Sequence, residues 1–204
     1  MANVATPAFT GGFNDPVHGS QQGFRAIMEA MARPGTLQTP DGVTAPAPLN
    51  PVSALVALTL LDQDTSVWLD SGCHGQADVA DWLSFHTGAR IAQNMATADF
   101  CILSNPKGVT VLADMALGSE EYPDRSATAI MQVTGFEANP DWVCEGPGIK
   151  GQIDFQPTGV DDSFLPVWSQ NRAAFPRGVD LILASPTQLA ALPRTTCIRK
   201  AREM

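Results

Sequence analysis

The chain has 204 residues, of which 44% are hydrophobic and 16% charged, a composition typical of one well-buried globular domain. Its 12 basic and 21 acidic residues give a formal net charge of -9. This charge argues against a nucleic-acid or anionic-membrane surface, because both need clustered lysine and arginine. The sequence also has no apolar run near the roughly 20 residues of a spanning helix and no secretory signal pattern at its start. We therefore expect a cytoplasmic protein with no membrane or nucleic-acid partner.

The first predicted element is a helix over residues 20–33. Apolar residues recur there at the spacing of one helix face, and Pro34-Gly35 follows as a helix terminator. The buried face is expected to consist of Phe24, Ile27, Met28 and Met31. This pattern indicates an amphipathic helix.

Three more helices follow. Asn50-Pro51 is a favourable N-cap and first-turn pair for a helix that runs to Leu61 and is apolar on most sides. A third helix covers about residues 76–86 and ends at Gly88, and a fourth covers residues 162–174. The apolar faces of these last two helices are expected to carry Val79, Trp82 and Leu83, and Phe164, Leu165, Val167 and Trp168.

Four stretches rich in β-branched and apolar residues are predicted strands. They cover residues 65–69, 99–104, 127–135 and 179–185. The second and fourth are continuous apolar runs, which are typical of strands covered on both faces. The alternation of helices and strands predicts one α/β domain with a mixed, mostly buried β-sheet covered by helices.

Standard site motifs are absent: the sequence has no Gly-x-Gly-x-x-Gly, Walker-type, Gly-x-Ser-x-Gly or His-Glu-x-x-His pattern. The stretch Gly146-Pro147-Gly148-Ile149 could expose backbone amides to an anion, but a tight turn is the expected structure. The four cysteines are far apart and are expected to be small buried residues, not ligands. They are Cys73, Cys101, Cys144 and Cys197.

The histidines and acidic pairs do not form a recognisable catalytic or metal-binding pattern. A Cys73-His74 dyad is disfavoured, because adjacent residues of an extended segment point to opposite faces. His86 lies in the last turn of the third helix, where a charged imidazole would suit the helix dipole; capping is expected there, and a site role is the alternative. The acids of residues 62–70 and 78–82 lack the spacing of a calcium loop. No catalytic, metal-binding or cofactor-binding residues are predicted.

Arginine is the remaining candidate, because its planar guanidinium can bind phosphate or carboxylate through two hydrogen bonds. Each arginine alone is expected to form an ordinary ion pair in a chain with 21 acids. Together, those next to turns or helix faces form a candidate patch. They are Arg25, Arg125, Arg172, Arg177 and Arg194.

Six motifs stand in the order found in the PhnH family, a subunit of the bacterial carbon-phosphorus lyase system, which the chain resembles from about Phe13 to Arg199. The motifs are FRAIMEAMARPG (24–35), LTLLDQDTSVWL (58–69), FHTGA (85–89), GPGI (146–149), FPRGVDLIL (175–183) and LAALPRTT (189–196). The combination of Phe-Pro-x-Gly-Val-Asp with a Pro-Arg-Thr-Thr ending is the most specific part of the resemblance.

The resemblance implies a homodimer-forming subunit that assembles with PhnG, PhnI and PhnJ type proteins. In that family the complex contributes to making a ribose 1-phosphonate 5-triphosphate from ATP and an alkylphosphonate. The family fold resembles the large domain of pyridoxal-phosphate (PLP)-dependent transferases without the cofactor. A pyridoxal enzyme needs a Schiff-base lysine, and none of Lys107, Lys150 and Lys200 is convincing, which agrees with a protein that holds no cofactor.

The resemblance also indicates candidate residues for a shared cleft or subunit contact, with a phosphonate or nucleotide as the candidate ligand. Its polar motif positions are Arg25, His86, Thr87, Asp180, Arg194, Thr195 and Thr196. A turn at Pro176 and Gly178 is expected to send residues 179–185 into the sheet centre. Arg194 would then emerge at a strand end, where ligands gather in open α/β sheets.

The expected organisation is a flexible lead-in (1–12), a single domain (13–199) and a C-terminal tail (200–204). Two alternatives to a complex subunit stay open. One is an independent small-molecule enzyme with a cleft built from scattered residues. The other is a binding module for a nucleotide or phosphonate.

Overall fold

The structure, a computed structural model, describes residues 10–75 and 77–201, which contain five α-helices and eleven strands. The helices are α1 (Pro16–Ala32), α2 (Pro51–Leu60), α3 (Ser71–His74), α4 (Ala77–Thr87) and α5 (Phe164–Ala173). The strands are β1 (Ser66–Leu69), β2 (Arg90–Ile91), β3 (Phe100–Leu103), β4 (Thr128–Gln132), β5 (Gly135–Phe136), β6 (Trp142–Glu145), β7 (Ile153–Asp154), β8 (Pro157–Thr158), β9 (Asp180–Ala184), β10 (Leu189–Leu192) and β11 (Cys197–Lys200). A 3-10 helix at Pro106–Asp114 adds to the helical layer.

The central sheet has six strands in the order β10-β9-β4-β3-β1-β2. Five of them are parallel, and β10 is an antiparallel edge strand paired with β9. Because the chain adds β2 on one side of β1 and the later strands on the other, the sheet is doubly wound. Two small sheets, β11-β6-β7 and β5-β8, lie outside it.

Alternate residues of the central strands supply two cores, one on each face of the sheet. Ile102, Ile130 and Ile182 face the cluster that contains α1, α2 and α4 residues. Leu103 and Met131 belong to the opposite cluster, with residues of α5, β6 and the 3-10 helix. The predicted α/β class with a helix-covered, mixed sheet is therefore confirmed.

Several local predictions are confirmed. Asn50 caps α2, its Oδ1 accepting from the Ser53 N–H at 2.7 Å, and six residues of the helix from Val52 to Ala57 are buried. Gly88 ends α4 with a φ of 76° and donates its N–H to the Ser84 carbonyl at 3.0 Å. The predicted α4 core residues are fully buried.

The predicted buried face of α1 is wrong in part. Phe24 and Met28 are 54% and 52% exposed, whereas the buried residues of α1 are Gly23, Ile27 and Ala30. A Cβ on Gly23 would lie 2.4 Å from the Thr59 Oγ1, so the glycine lets α1 approach α2 closely. Close contact through small residues therefore rotates the larger apolar side chains toward solvent. The helix also begins earlier than predicted, at Pro16.

Two predictions about the sheet need correction. The strand at residues 179–185 exists as β9, but it lies second from the edge and not at the centre. The chain then continues into β10 and β11, which were not predicted because Leu189–Leu192 is half alanine and Cys197–Lys200 carries two charges. Tertiary pairing decides these short strands more than intrinsic propensity does.

The described part of the N-terminal lead-in is attached to the domain. The Gly12 N–H donates to the Thr44 carbonyl at 2.9 Å, and the Trp82 Nε1 donates to the Thr10 carbonyl. Residues 1–9 of the lead-in, residue 76 of the predicted third helix and residues 202–204 of the tail lie outside the described residues. None of the described helices is both long and apolar enough to cross a membrane.

Candidate functional site

Arg194 and Asp180 form the most extensively bonded pair among the candidate residues. Asp180 begins β9 and Arg194 lies two residues beyond β10, so antiparallel pairing brings them together. The Arg194 Nε donates to one Asp180 carboxylate oxygen at 3.1 Å and Nη2 to the other. The two side chains are only 14% and 19% exposed. Burial and two-point geometry make this a strong ion pair.

The other Arg194 contacts tie three loop positions to this pair. Its Nη1 donates to the backbone carbonyls of Pro123 at 3.0 Å and Pro176 at 3.3 Å, and Nη2 also donates to the Ser126 Oγ. All five N–H groups of the guanidinium therefore have partners within the chain. Arg194 holds the loop around Pro123 against the loop around Pro176.

Arg194 does emerge at a strand end, but at the edge where ligands do not usually gather. Strand β10, which precedes Arg194, runs antiparallel to β9. The chain therefore leaves β10 at the edge of the sheet where the parallel strands β4 and β9 begin, at Thr128 and Asp180. In doubly wound sheets, ligands bind at the carboxyl ends of the parallel strands. The expectation that Arg194 stands at a ligand-gathering edge is therefore wrong.

The two loops held by Arg194 display exposed aromatic and arginine side chains. Tyr122 is 44% exposed and Phe175 is 61% exposed. The Arg125 guanidinium lies 4.1 Å from the centre of the Tyr122 ring, and Arg177 is exposed beside Pro176. We call these four residues the aromatic-arginine platform. Both arginines are among the five candidates named from the sequence; the two aromatics carry no sequence signal that distinguishes them from core residues.

Thr195 and Thr196 belong to a structural turn. The Thr196 N–H donates to the Pro193 carbonyl at 2.8 Å, and its own carbonyl accepts from the Trp168 Nε1 at 2.8 Å. A Cβ on Gly146 would lie 3.2 Å from the Thr195 carbonyl oxygen. The turn thus joins α5 to the GPGI segment.

The GPGI segment is a tight turn, as predicted, with the Ile149 N–H donating to the Gly146 carbonyl at 3.1 Å. Gly148 has a φ of 85°, and a Cβ there would lie 2.2 Å from the Ala32 carbonyl oxygen at the end of α1. Only glycine fits this contact. The GPGI turn therefore contacts the end of α1 on one side and the Pro-Arg-Thr-Thr turn on the other. Three of the motifs that carry the family resemblance thus pack against one another and have a structural role.

Thr87, and not His86, caps the end of α4. Its Oγ1 donates to the Leu83 carbonyl at 2.7 Å and accepts from the Ala89 N–H at 3.0 Å. The His86 ring packs 4.7 Å from the Trp82 ring. Burial lowers the pKa of His86, opposed in part by the Thr10 backbone carbonyl, so the environment favours a neutral ring over the charged cap expected from the sequence.

A groove beside α1 contains Arg25. It consists of two adjoining clefts of about 320 and 410 Å³, which share Gln22, Pro40 and Asp41. Arg25 lines the larger cleft and forms no ion pair with a described residue. The smaller cleft is lined in part by Gly12, and a Cβ on that glycine would lie 3.0 Å from the His86 ring.

Two of the acidic residues that line this α1 groove have partners. The Asp15 carboxylate lies 2.7 Å from the His18 Nδ1, and hydrogen bonds from the backbone and then the side chain of His18 lower the pKa of Asp15. Glu29 pairs with Arg33 at 2.7 Å. Among the described residues that line the groove, Asp41 and Arg25 are the charged side chains without an ion pair, and Arg25 is the one that carries donors for an anion. This makes Arg25 the best-placed of the seven candidates for ligand contact.

The carboxyl edge of the parallel strands contains a further cleft of about 290 Å³. Two of its polar side chains are hydrogen-bonded within the chain. The Ser104 Oγ donates to the Asp70 carboxylate at 2.7 Å, and the Gln132 side chain accepts from the Asn50 N–H and donates to the Pro48 carbonyl. Within residues 10–75 and 77–201, no three His, Cys, Asp or Glu side chains are grouped as a metal site requires. This edge offers fewer available polar groups than the α1 groove.

The seven candidate residues therefore do not form one cleft. Asp180 and Arg194 lie together, Thr195 and Thr196 belong to the adjoining turn, and Arg25 lies in the α1 groove with His86 behind Gly12.

Comparisons with known proteins give a consistent result. The sequence model of the family described as "Bacterial phosphonate metabolism protein (PhnH)" matches residues 11–199. A Rhizobium meliloti (strain 1021) protein, alpha-D-ribose 1-methylphosphonate 5-triphosphate synthase subunit PhnH, is 40% identical over 193 residues, 94% of this chain and 96% of that protein. The putative C-P lyase subunit protein HtxG of Stutzerimonas stutzeri is 34% identical over 180 residues, which cover 87% of this chain and 85% of that protein.

Proposed function

Since the chain belongs to the PhnH family of bacterial phosphonate metabolism proteins, we propose that it is a subunit of a carbon-phosphorus lyase complex in organic phosphonate catabolism. The observation that carries this proposal is the extent of the match. It covers nearly the whole chain and 96% and 85% of two relatives that are themselves named as subunits. The whole domain, and not one segment of it, corresponds to a subunit.

The proposed contribution is to the formation of a ribose 1-alkylphosphonate 5-triphosphate from ATP and a phosphonate, by assembly or through a shared site. A site for a triphosphate needs concentrated positive charge. This chain has a net charge of -9, and the five guanidinium N–H groups of Arg194 are engaged within the chain. The reacting groups are therefore assigned mainly to partner subunits.

The proposed partners are a second copy of the chain and PhnG, PhnI and PhnJ type subunits, in the cytoplasm. Exposed apolar side chains support association, because large apolar surfaces on a folded protein are often covered by partners. They include Phe24 and Met28 on α1 and Tyr122 and Phe175 on the aromatic-arginine platform.

At a shared site, Arg25 is the proposed contact for the phosphonate or nucleotide, supported by its position in the α1 groove without an ion-pair partner among the described residues. His86 would support the wall of this groove through Gly12, and Thr87 would hold the end of the helix that carries His86. Asp180, Arg194, Thr195 and Thr196 would maintain a separate subunit contact.

We also propose that the fold corresponds to the large domain of PLP-dependent transferases without the cofactor. The supporting features are the mixed sheet with helices on it and the positions of the lysines. Lys107 and Lys150 are exposed, and Lys200 is paired with Asp162. None of these lysines is in the buried setting that a Schiff base needs.

Native mass spectrometry tests this function. The chain is measured alone and after co-expression with the PhnG, PhnI and PhnJ type subunits of the same organism. The expected result is a dimer alone and a defined larger assembly with the others. A chain that never enters such an assembly would contradict the proposal.

The same preparations separate the two alternatives. Turnover of a phosphonate or nucleotide by the isolated chain would favour an independent enzyme. Calorimetric binding of ATP or methylphosphonate to the isolated chain, without assembly, would favour a binding module.

A further inference from the structure

We propose that the aromatic-arginine platform, formed by Tyr122, Arg125, Phe175 and Arg177, docks a partner subunit through a segment that carries carboxylates beside apolar side chains. This inference rests on the proposed function as a complex subunit. The inference adds to the proposed function the surface that is used and the chemistry of the segment that binds there.

The platform exists because one partly buried ion pair joins two loops that are distant in sequence. The Arg194 Nη1 donates to the carbonyls of both Pro123 and Pro176, while Asp180 holds the other side of the guanidinium. Pro123 directly follows Tyr122, and Pro176 directly follows Phe175. A single side chain therefore sets the relative position of the two exposed aromatics.

The loops that carry the platform have further internal hydrogen bonds. The Gly178 N–H donates to the Leu117 carbonyl at 2.9 Å. Ser119 and Tyr122 bond each other twice, through the Tyr122 N–H to the Ser119 Oγ at 2.9 Å and the Ser119 N–H to the Tyr122 carbonyl at 3.1 Å. A surface ordered before binding loses little conformational entropy on association, which favours affinity.

Exposure and residue type make this surface suitable for a protein partner. Phe175 and Tyr122 are 61% and 44% exposed although each offers a large apolar area. Aromatic residues and arginine are enriched at protein interfaces and among the residues that contribute most to binding. The Arg125 guanidinium stacked on Tyr122 adds a cation at the ring face.

The charge of the two platform arginines indicates the chemistry of the partner segment. Arg125 and Arg177 are exposed and form no ion pair with a described residue, in a chain that has nearly two acids for each base. Two unpaired guanidinium groups beside two aromatics suit carboxylates that flank an apolar side chain. Glu120, Glu121 and Asp124 lie on the same loop, so a wrongly oriented acidic segment would be repelled.

The test uses the wild-type chain and variants, each with the co-expressed PhnG, PhnI and PhnJ type subunits. Phe175→Ala removes an exposed aromatic, and the double variant Arg125→Glu with Arg177→Glu reverses the charge. Phe85→Ala is the matched control, because Phe85 is 58% exposed on α4. Arg90→Glu, at an exposed arginine of β2, controls for the charge change.

We expect Phe175→Ala and the double variant each to weaken assembly at least tenfold, with the dissociation constant measured by interferometry. Both controls should stay within about twofold. Thermal midpoints should change little in all four variants, because every replaced side chain is exposed. Wild-type assembly should weaken as salt rises, and the double variant should lose most of that dependence.

Arg194→Met tests whether the Arg194 side chain positions the two loops. It should weaken assembly without removing any group that touches the partner. Hydrogen exchange should increase at residues 117–126 and 175–178, a readout that a change elsewhere in the core would not give.

The outcomes separate this inference from the proposed function. Wild-type affinity in both platform variants would overturn the inference while leaving the subunit function intact. If the platform variants lost a homodimer but kept the larger assembly, the inference would also be overturned, because the platform would then bind a second copy of the chain. Failure of the wild-type chain to assemble would overturn both.

Discussion

Three of the four cysteines have thiols that are chemically inert at neutral pH. Burial raises the pKa of Cys73, Cys101 and Cys144 to about 12 each, with the Asp70 carboxylate adding to the effect at Cys73 and Cys197 adding to it at Cys144. Because the thiolate is the nucleophile and the metal ligand, none of the three suits catalysis or metal binding. This argues against a Cys73-His74 catalytic dyad on physical grounds.

The raised thiol pKa values predict that stability falls at alkaline pH. In the unfolded chain the thiols ionise near pH 8.5, whereas in the folded chain they keep their protons to about pH 12. The unfolded state therefore gains free energy from proton loss as pH rises through this window. We expect the free energy of unfolding to drop by about 1.4 kcal/mol per thiol between pH 7.5 and 9.5, about 4 kcal/mol in all.

Urea unfolding at the two pH values measures this drop. The control is the triple variant Cys73→Ala, Cys101→Ala, Cys144→Ala, which should be less stable throughout but should lose most of the pH dependence. Equal pH dependence in the triple variant and the wild type would contradict the assignment.

The hydrogen bonds of a residue could be predicted from the sequence where the partner lies nearby in the chain, and not where the partner is distant. The Asn50 cap and the GPGI turn follow from sequence, because their partners lie within three residues. The environment of Arg194 does not, because its partners come from positions 14 to 71 residues away. For the same reason the sequence alone could not assign Arg194 to the Asp180 ion pair, Arg25 to the α1 groove, or Arg125 and Arg177 to the platform. Arg172, the fifth candidate, belongs to none of these three sites.

At the scale of elements, α1 is positioned by one of its two glycines. Gly23 faces α2, where a Cβ would lie 2.4 Å from the Thr59 Oγ1 and 3.2 Å from the Leu55 Cδ2. This contact turns Phe24 and Met28 outward and places Arg25 in the α1 groove. The packing of one glycine thus determines which side of the helix is available to partners or ligands.

Gly23→Ala should destabilise the protein although alanine is the better helix former. Propensity favours alanine by about 1 kcal/mol in a helix interior, but the added methyl group must displace α1 from α2 in a closely packed core. We expect a net loss of about 1–2 kcal/mol in the free energy of unfolding, measured in urea.

Gln21→Ala on the exposed side of the same helix is the matched control and should change stability by less than about 0.5 kcal/mol. A Gly23→Ala variant more stable than the wild type would show that α1 and α2 can separate without cost.

Elements were predictable in proportion to their length and periodicity. The helices α2 and α4 have long apolar patterns and strong end signals. The strands β2, β5, β7 and β8 have two residues each, too few for any periodicity, and their pairing is decided by neighbours far along the chain. The alternation that indicates an α/β domain is visible in sequence, while the strand order is not.

At the scale of the whole molecule, both edges of the central sheet are protected. At one edge, β2 has only two residues. At the other, β10 is covered by the segment after α1: Gln38 and Leu189 exchange both backbone hydrogen bonds, at 2.8 and 2.9 Å, and the Gly35 N–H reaches the Ala191 carbonyl. Unpaired edges are sites of unwanted strand pairing, so this segment has a protective role as well as a structural one.

Gln38→Pro should therefore destabilise the protein and promote association through β10. Proline removes the N–H that bonds the carbonyl of buried Leu189, and an unsatisfied buried carbonyl costs about 1–3 kcal/mol. Gln38→Ala is the control, because it keeps both backbone bonds and loses only the side-chain contact to Thr36. Urea unfolding gives the stability change, and light scattering after chromatography at a temperature below the unfolding midpoint gives the oligomer fraction. We expect Gln38→Pro to show lower stability and a larger high-mass fraction than Gln38→Ala. If the two variants match in both measurements, the segment is not what protects the β10 edge.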